Sequence, residues 1–224
     1  MRAFNPIAVV AFFTFICCIG QVHGQMKPGW QFRNELLRGI SPLRDTEYIE
    51  NRSRLEKLSK FSLYDTIGRL STTTLEGDKI SIEIKTTRFK KNKHRIEYPK
   101  QNGNDLSGPL LIDKKSGYGF EFDLPVLETK YFRLKWNGQE MTIPDSALHD
   151  LYDLGLNDLC GELPTAYYSK KRDLLYIYIS GGDGSASYCV KFIFNRTEYL
   201  ARIIGKIECV QGYDFIDALP DACQ

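Results

Sequence analysis

Tyr131-Phe132-Arg133-Leu134-Lys135-Trp136-Asn137-Gly138-Gln139-Glu140-Met141-Thr142-Ile143 is the stretch on which the fold turns. Apolar and polar residues alternate on either side of an Asn-Gly pair, which suits a type I′ turn because both central residues take positive φ. A hairpin closing there sets Trp136 opposite Gln139, Leu134 opposite Met141 and Phe132 opposite Ile143. The large apolar side chains then share one face, and Lys135 meets Glu140 on the other as a favourable cross-strand pair. Turn chemistry, period and cross-strand chemistry agree, so an antiparallel sheet with one buried face is expected here.

The same period runs upstream, where Ile80, Ile82 and Ile84 alternate with Ser81, Glu83 and Lys85. Downstream, Leu174 to Ser180 is apolar on both faces, as a central strand should be. Gly181-Gly182-Asp183-Gly184 then turns the chain into Ser187 to Phe194, and Asn195 to Glu198 turns it into Tyr199 to Cys209, a three-stranded meander. Pro99 to Asp105 is polar and turn-forming, an exposed loop.

Other segments carry helical signals. Ser41-Pro42 is a good cap and first-turn pair, and Ser53-Arg54-Leu55-Glu56 has the capping-box form. Leu55, Leu58 and Phe61 recur at helical spacing, which predicts one or two helices within an N-terminal helical segment, residues 25–75. Pro144 to Leu154 predicts a short helix with Leu148, Leu151 and Tyr152 on its apolar face. The expected fold is therefore α+β. It comprises an antiparallel β-sheet built from hairpins, which periodicity leaves open to splitting into a sandwich. The helical segment packs on it, forming a single core with a β-rich domain at 76–224 that ends in a disulfide-stapled C-terminal region.

Residues 1–24 read as an export signal. Arg2 gives the positive start, Ile7 to Ile19 the apolar core, and Val22-His23-Gly24 the small-residue cleavage pattern. The expected localisation is secreted or periplasmic, with no transmembrane segment in the mature chain. Thr14-Phe15-Ile16 before Cys17 lacks the small residues of a lipid-anchor site. Cys160, Cys189, Cys209 and Cys223 remain after cleavage. An even count in an oxidising compartment predicts two disulfides, and no C-x-x-C pair suggests zinc instead. With Phe194 set opposite Tyr199, Cys189 faces Ile204 and Cys209 falls on the other face of its strand. This disfavours a Cys189–Cys209 bond and leads to Cys160–Cys189 with Cys209–Cys223, the crossed Cys160–Cys209 with Cys189–Cys223 being the alternative.

Charge and histidine content close off several functions. The chain has 30 Lys+Arg against 28 Asp+Glu, a balance that argues against a nucleic-acid binder. Only His94 and His149 survive removal of the leader. Three-histidine metal sites, H-E-x-x-H, G-x-S-x-G, P-loop and dinucleotide patterns are all missing, so no metal, cofactor or catalytic residue is assigned. On the expected 144–154 helix, Asp145, His149 and Asp153 form one row, readable as a candidate site or as an ordinary solvated face.

The segment Arg88-Phe89-Lys90-Lys91-Asn92-Lys93-His94-Arg95 is the best binding candidate. Arg88, Lys90, Lys91, Lys93, His94 and Arg95 can grip a polyanion, or can simply keep a hairpin tip soluble. Gly181 to Ser185 offers backbone N–H groups to an anion, or is merely a tight turn. Tyr176 and Tyr178 read as a sugar platform or as packing. Asn51-Arg52-Ser53 and Asn195-Arg196-Thr197 are glycosylation sequons relevant in a eukaryote. These features favour an exported, non-catalytic binding or interaction protein engaging an anionic glycan, a lipid surface or a protein partner. The alternatives are a small extracellular hydrolase using carboxylates or His149, and an inhibitor or immunity-type protein.

Overall fold

The computed structural model describes residues 50, 52–64, 66–102, 105–107, 109–156 and 164–205. The strands are β1 (Glu56–Lys57), β2 (Ser62–Tyr64), β3 (Ile67–Thr73), β4 (Lys79–Arg88), β5 (Ile96–Glu97), β6 (Lys100–Asn102) and β7 (Asp105–Ser107). They continue with β8 (Leu111–Ile112), β9 (Leu127–Trp136), β10 (Gln139–Met141), β11 (Thr165–Ser169), β12 (Leu174–Gly181), β13 (Tyr188–Phe194) and β14 (Tyr199–Gly205). Two five-stranded antiparallel sheets result, ordered β10-β9-β4-β3-β2 and β1-β11-β12-β13-β14.

Alternation builds the first sheet. Ile80, Ile82 and Ile84 on β4, and Phe132, Leu134 and Trp136 on β9, all point inward and are buried. The β9–β10 hairpin turns where its sequence dictates, with Asn137 at φ 50° and Gly138 at φ 85°, but β10 ends at Met141, so the expected Phe132–Ile143 pair does not form. Trp136 pairs with Gln139 and Leu134 with Met141, and Lys135 lies 3.8 Å from Glu140. The second sheet supplies Tyr168, Leu175, Ile177, Ile179, Val190, Phe192 and Phe194 to the same core. Phe132 meets Phe192 edge-on at 4.9 Å between centroids, so the two inner faces interdigitate as a β-sandwich. Tyr176 and Tyr178 face the other way, fully buried in a second cluster with Tyr167, Cys189 and Ile193.

Among the described residues the N-terminal helical segment is not formed. Over the described part of 25–75 the chain makes a single 3-10 turn, Arg52–Arg54, followed by β1, β2 and β3. Glu56 and Lys57 pair with Tyr168 and Tyr167, and the Leu58 amide bonds to the Ala166 carbonyl at 2.9 Å. Leu55 packs on the second cluster while Leu58 and Phe61 pack on the main core. Their helical spacing thus serves an extended chain crossing between sheets, and edge pairing overrides local propensity. Ser41-Pro42 lies outside the described residues.

The Pro144 helix is also replaced, by a 3-10 turn at Asp145–Ala147 and an extended strap. Leu151, Tyr152 and Leu154 of that strap bridge to Tyr118, Glu128 and Gly181. Asp153 takes φ 49°, which an α-helix cannot contain, and its carboxylate accepts the amides of Val126 and Leu127. The expected loop at 99–105 holds the short pair β6 and β7.

The disulfide-stapled C-terminus is likewise corrected. No disulfide occurs among the described residues, and Cys189 is wholly buried on β13 beside Tyr176 and Tyr178. Cys160, Cys209 and Cys223 lie outside the described residues. The register behind the cysteine assignment also fails. Phe194 pairs with Tyr199, but a bulge then sets Cys189 opposite Gly205 instead of Ile204. One extra residue reverses the parity on which the separation of Cys189 from Cys209 was built.

Candidate functional site

A cleft of about 470 Å³ opens between the strap at 145–152, the tight turn after β8 and the start of β9. It brings together His94 and His149, with Asp113, Glu128, Asp145 and Lys115 on its walls and Ile112 and Tyr152 at its base. The turn after β8 places Asp113 and Lys114 at φ 53° and 65°, and Ile112 and Lys115 exchange both backbone bonds across it. Glu128 enters from β9, opposite Thr87 on β4.

His94 lies between two carboxylates, with Nδ1 2.8 Å from Asp113 Oδ2 and Nε2 2.8 Å from Glu128 Oε2. Phe89 stacks on the ring at 4.7 Å. Burial works against a charge on His94, but the hydrogen bonds to Asp113 and Glu128 prevail and raise its pKa above the ordinary histidine value. The bond to His94, and then the Arg95 amide, hold Asp113 below the usual carboxylate range. His149 places Nδ1 3.0 Å from the Asp145 carbonyl and Nε2 3.2 Å from Lys115 Nζ. In that geometry Nδ1 donates to the carbonyl and Nε2 is the acceptor for the ammonium. Tyr152, only 6% exposed, is pushed up to about 12 by burial, with Asp113, Glu128 and Asp150 adding to the shift.

The basic segment contributes His94 alone to the lining of this cleft. Arg88 ends β4, Lys91–Lys93 make a 3-10 turn, and Arg88, Lys90, Lys91, Lys93 and Arg95 are all exposed. Lys91 Nζ stands 5.2 Å over the exposed Tyr98 ring, and Arg95 pairs with Glu97 at 2.9 Å. Among the described residues Arg88, Lys90, Lys91 and Lys93 meet no carboxylate. His94 departs from its neighbours by turning inward.

The remaining candidates are dispersed. Asp145 and His149 share the cleft, but Asp153 does not join them, because without a helix there is no common face. Gly182 and Gly184 take φ 67° and 48° in the turn after β12, where Ser185 Oγ bonds to Glu121 at 2.9 Å. Asn195 folds back on itself, accepting the Thr197 and Glu198 amides at 2.8 Å; Asn51 lies outside the described residues. Asp113, Glu128 and Lys115 were missed by the sequence reading. Asp113-Lys114 is not a typical I′ dipeptide, and Glu128 reaches His94 only through long-range pairing of β9 with β4.

Among the described residues no cluster of His, Cys, Asp or Glu has the arrangement of a metal site, and no helix is long and apolar enough to cross a membrane. Fold and site define a two-sheet β protein with a cleft that gathers two histidines and several acids, joined through His94 to a basic turn. Compared with known proteins, the chain matches no family model, no curated sequence and no solved structure.

Proposed function

We propose that this is an exported, non-catalytic binding protein that engages anionic glycans or anionic surfaces through the turn at residues 88–95. One observation carries the reading. Four cations of that turn, Arg88, Lys90, Lys91 and Lys93, stand exposed together with no carboxylate partner among the described residues. Such a cluster keeps a local positive field that neighbouring acids do not cancel, although the chain as a whole is nearly neutral.

The cleft supports a binding role better than a hydrolytic one. A general base needs a free ring nitrogen within reach of the proton it takes. Both nitrogens of His94 face carboxylates, and His149 is held at Nδ1 by a carbonyl and at Nε2 by Lys115. The export assignment rests on the leader pattern at residues 1–24.

The test is the triple variant Lys90→Gln, Lys91→Gln, Lys93→Gln. Exposed substitutions of this kind change stability by about 0.5 kcal/mol or less each, so the fold is retained. Wild type should elute from a heparin-like resin at clearly higher salt than the variant. Coincident elution removes the polyanion reading.

A further inference from the structure

His94 sits inside the basic turn yet faces away from solvent, and its contacts hold the turn to the body. Both ring nitrogens lie 2.8 Å from carboxylate oxygens, on Asp113 and Glu128. A neutral imidazole carries one N–H, so it donates to one carboxylate and turns a lone pair on the other; only the doubly protonated ring donates to both. The two acids come from different elements, the turn after β8 and the start of β9. Asp113 also accepts the Arg95 amide at 2.8 Å and donates its own amide to the Arg95 carbonyl at 2.8 Å.

Between the anchors, Lys90–Lys93 has little else. Among the described residues its backbone bonds are internal, Lys93 N to Lys90 O at 2.8 Å and His94 N to Lys91 O at 3.2 Å. On the other flank, the Phe89 amide bonds to the Val126 carbonyl at 2.8 Å, and the Phe89 ring lies on His94. The position of the lysines is therefore set by Phe89 on one side and by His94 and Arg95 on the other.

We infer that His94 is a protonation latch for the basic turn: the doubly protonated ring pins Lys90–Lys93, and loss of one proton releases one of its two anchors. The inference rests on the binding role proposed above and concerns its regulation. The groups that bear on the ring are Asp113 and Glu128 in contact, Lys115, Asp145, His149, Asp150 and Tyr152 across the cleft, and Lys93 and Arg95 on its own segment. Because the folded-state affinity for the proton is raised, the latch is fully closed below the ordinary histidine value and opens as pH rises through the raised one. A polyanion on the lysines adds negative charge near the ring. By linkage, binding and proton uptake then favour each other.

The experiment follows the His94 ring by NMR in the full chain, alongside amide hydrogen exchange at Lys93 and residue 94, in wild type and His94→Gln. The latch requires His94 to titrate above a free histidine. Exchange at Lys93 and His94, corrected for the intrinsic pH effect, should rise about tenfold across that titration, as loss of one charge-assisted bond implies. His94→Gln should exchange fast at all pH values. Corrected exchange that stays flat through the titration, or a ring that titrates at or below the free value, overturns the latch. Elution from heparin-like resin at pH 6 and pH 9 separates the two ideas. No retention at either pH, with the exchange step intact, removes the binding role and leaves the latch. Retention that depends on the lysines but not on pH removes the regulation and leaves the binding role.

Discussion

Arg202 grips Asp150 with both arms of its guanidinium, Nη1 to Oδ1 at 2.6 Å and Nη2 to Oδ2 at 2.8 Å. The Arg202 side chain is 6% exposed and that of Asp150 16%, so the pair is nearly out of solvent. Arg202 belongs to β14, the edge of one sheet, and Asp150 to the strap that walls the cleft. Nη1 also takes the Ala147 carbonyl at 2.9 Å. One side chain thus ties the strap to the second sheet, adding to the backbone bridges that Leu151 and Tyr152 make to Tyr118 and Glu128.

Removing either member leaves a buried charge without its partner, which costs roughly 3–5 kcal/mol. Arg202→Met and Asp150→Asn should each lower stability by that order in urea unfolding. The double variant should be less damaged than the sum of the two. Additive losses would mean that the pair does not act as a unit.

Phe132 fastens the sheets to each other from β9, edge-on to Phe192 at 4.9 Å and to Phe194 at 5.8 Å, both on β13. Phe132→Ala should cost roughly 3–5 kcal/mol, with the slope of the denaturation curve unchanged. Phe132→Leu should cost about 1 kcal/mol. A loss below about 1 kcal/mol for the alanine variant would place the sheet contact elsewhere.

What was legible follows from how local the governing interaction is. The turn of the Asn137-Gly138 hairpin, the Ile80–Ile84 alternation and the strand order of the β12–β14 meander are each fixed by adjacent residues, and they form as the pattern has them. Leu55, Leu58 and Phe61 misled because three-residue spacing also serves a chain that crosses from one sheet edge to the other. The bulge between Ile193 and Phe194 leaves no mark in composition, and it displaced every pairing beyond it. The cleft was half visible. Its histidines stand out by scarcity and the basic turn that carries His94 by charge, but Asp113, Glu128 and Lys115 arrive through sheet register and a left-handed turn.

Gly119 shows how a backbone contact shapes the wall beside Tyr152. It takes φ +99°, and a Cβ there would sit 2.3 Å from the Tyr152 carbonyl oxygen, which already accepts the Tyr188 hydroxyl at 2.8 Å. Gly119→Ala combines dihedral strain with overlap and should cost roughly 2–4 kcal/mol. Gly77 is the control, because it takes φ +90° with nothing within 4 Å of its Cβ position. Gly77→Ala should cost only the strain, about 1 kcal/mol. Equal losses at the two sites would remove the steric part of the argument.

Asp78 links the turn between β3 and β4 to two others, and its charge is the means. Oδ1 accepts from Asn137 Nδ2 at 2.8 Å and from Arg196 Nη1 at 2.6 Å, and the side chain is 9% exposed. Burial opposes the charge, but the bonds from Asn137 and Arg196 outweigh it and lower the pKa below the usual carboxylate value. A depressed folded-state pKa gives stability that is present above the unfolded value and lost as pH falls through the folded one. Asp78→Asn should therefore destabilise by roughly 1–3 kcal/mol at pH 7, the cost of an unmatched buried polar group. The gap to wild type should close as pH falls into the acid range, where the wild-type carboxyl also loses its charge. Asp173, which Arg196 Nε meets at 2.7 Å, is 46% exposed, so Asp173→Asn should cost below about 1 kcal/mol. Urea unfolding from pH 7 to pH 3 checks both. An Asp78→Asn curve parallel to wild type over that range would show that the carboxylate charge does not hold the three turns together.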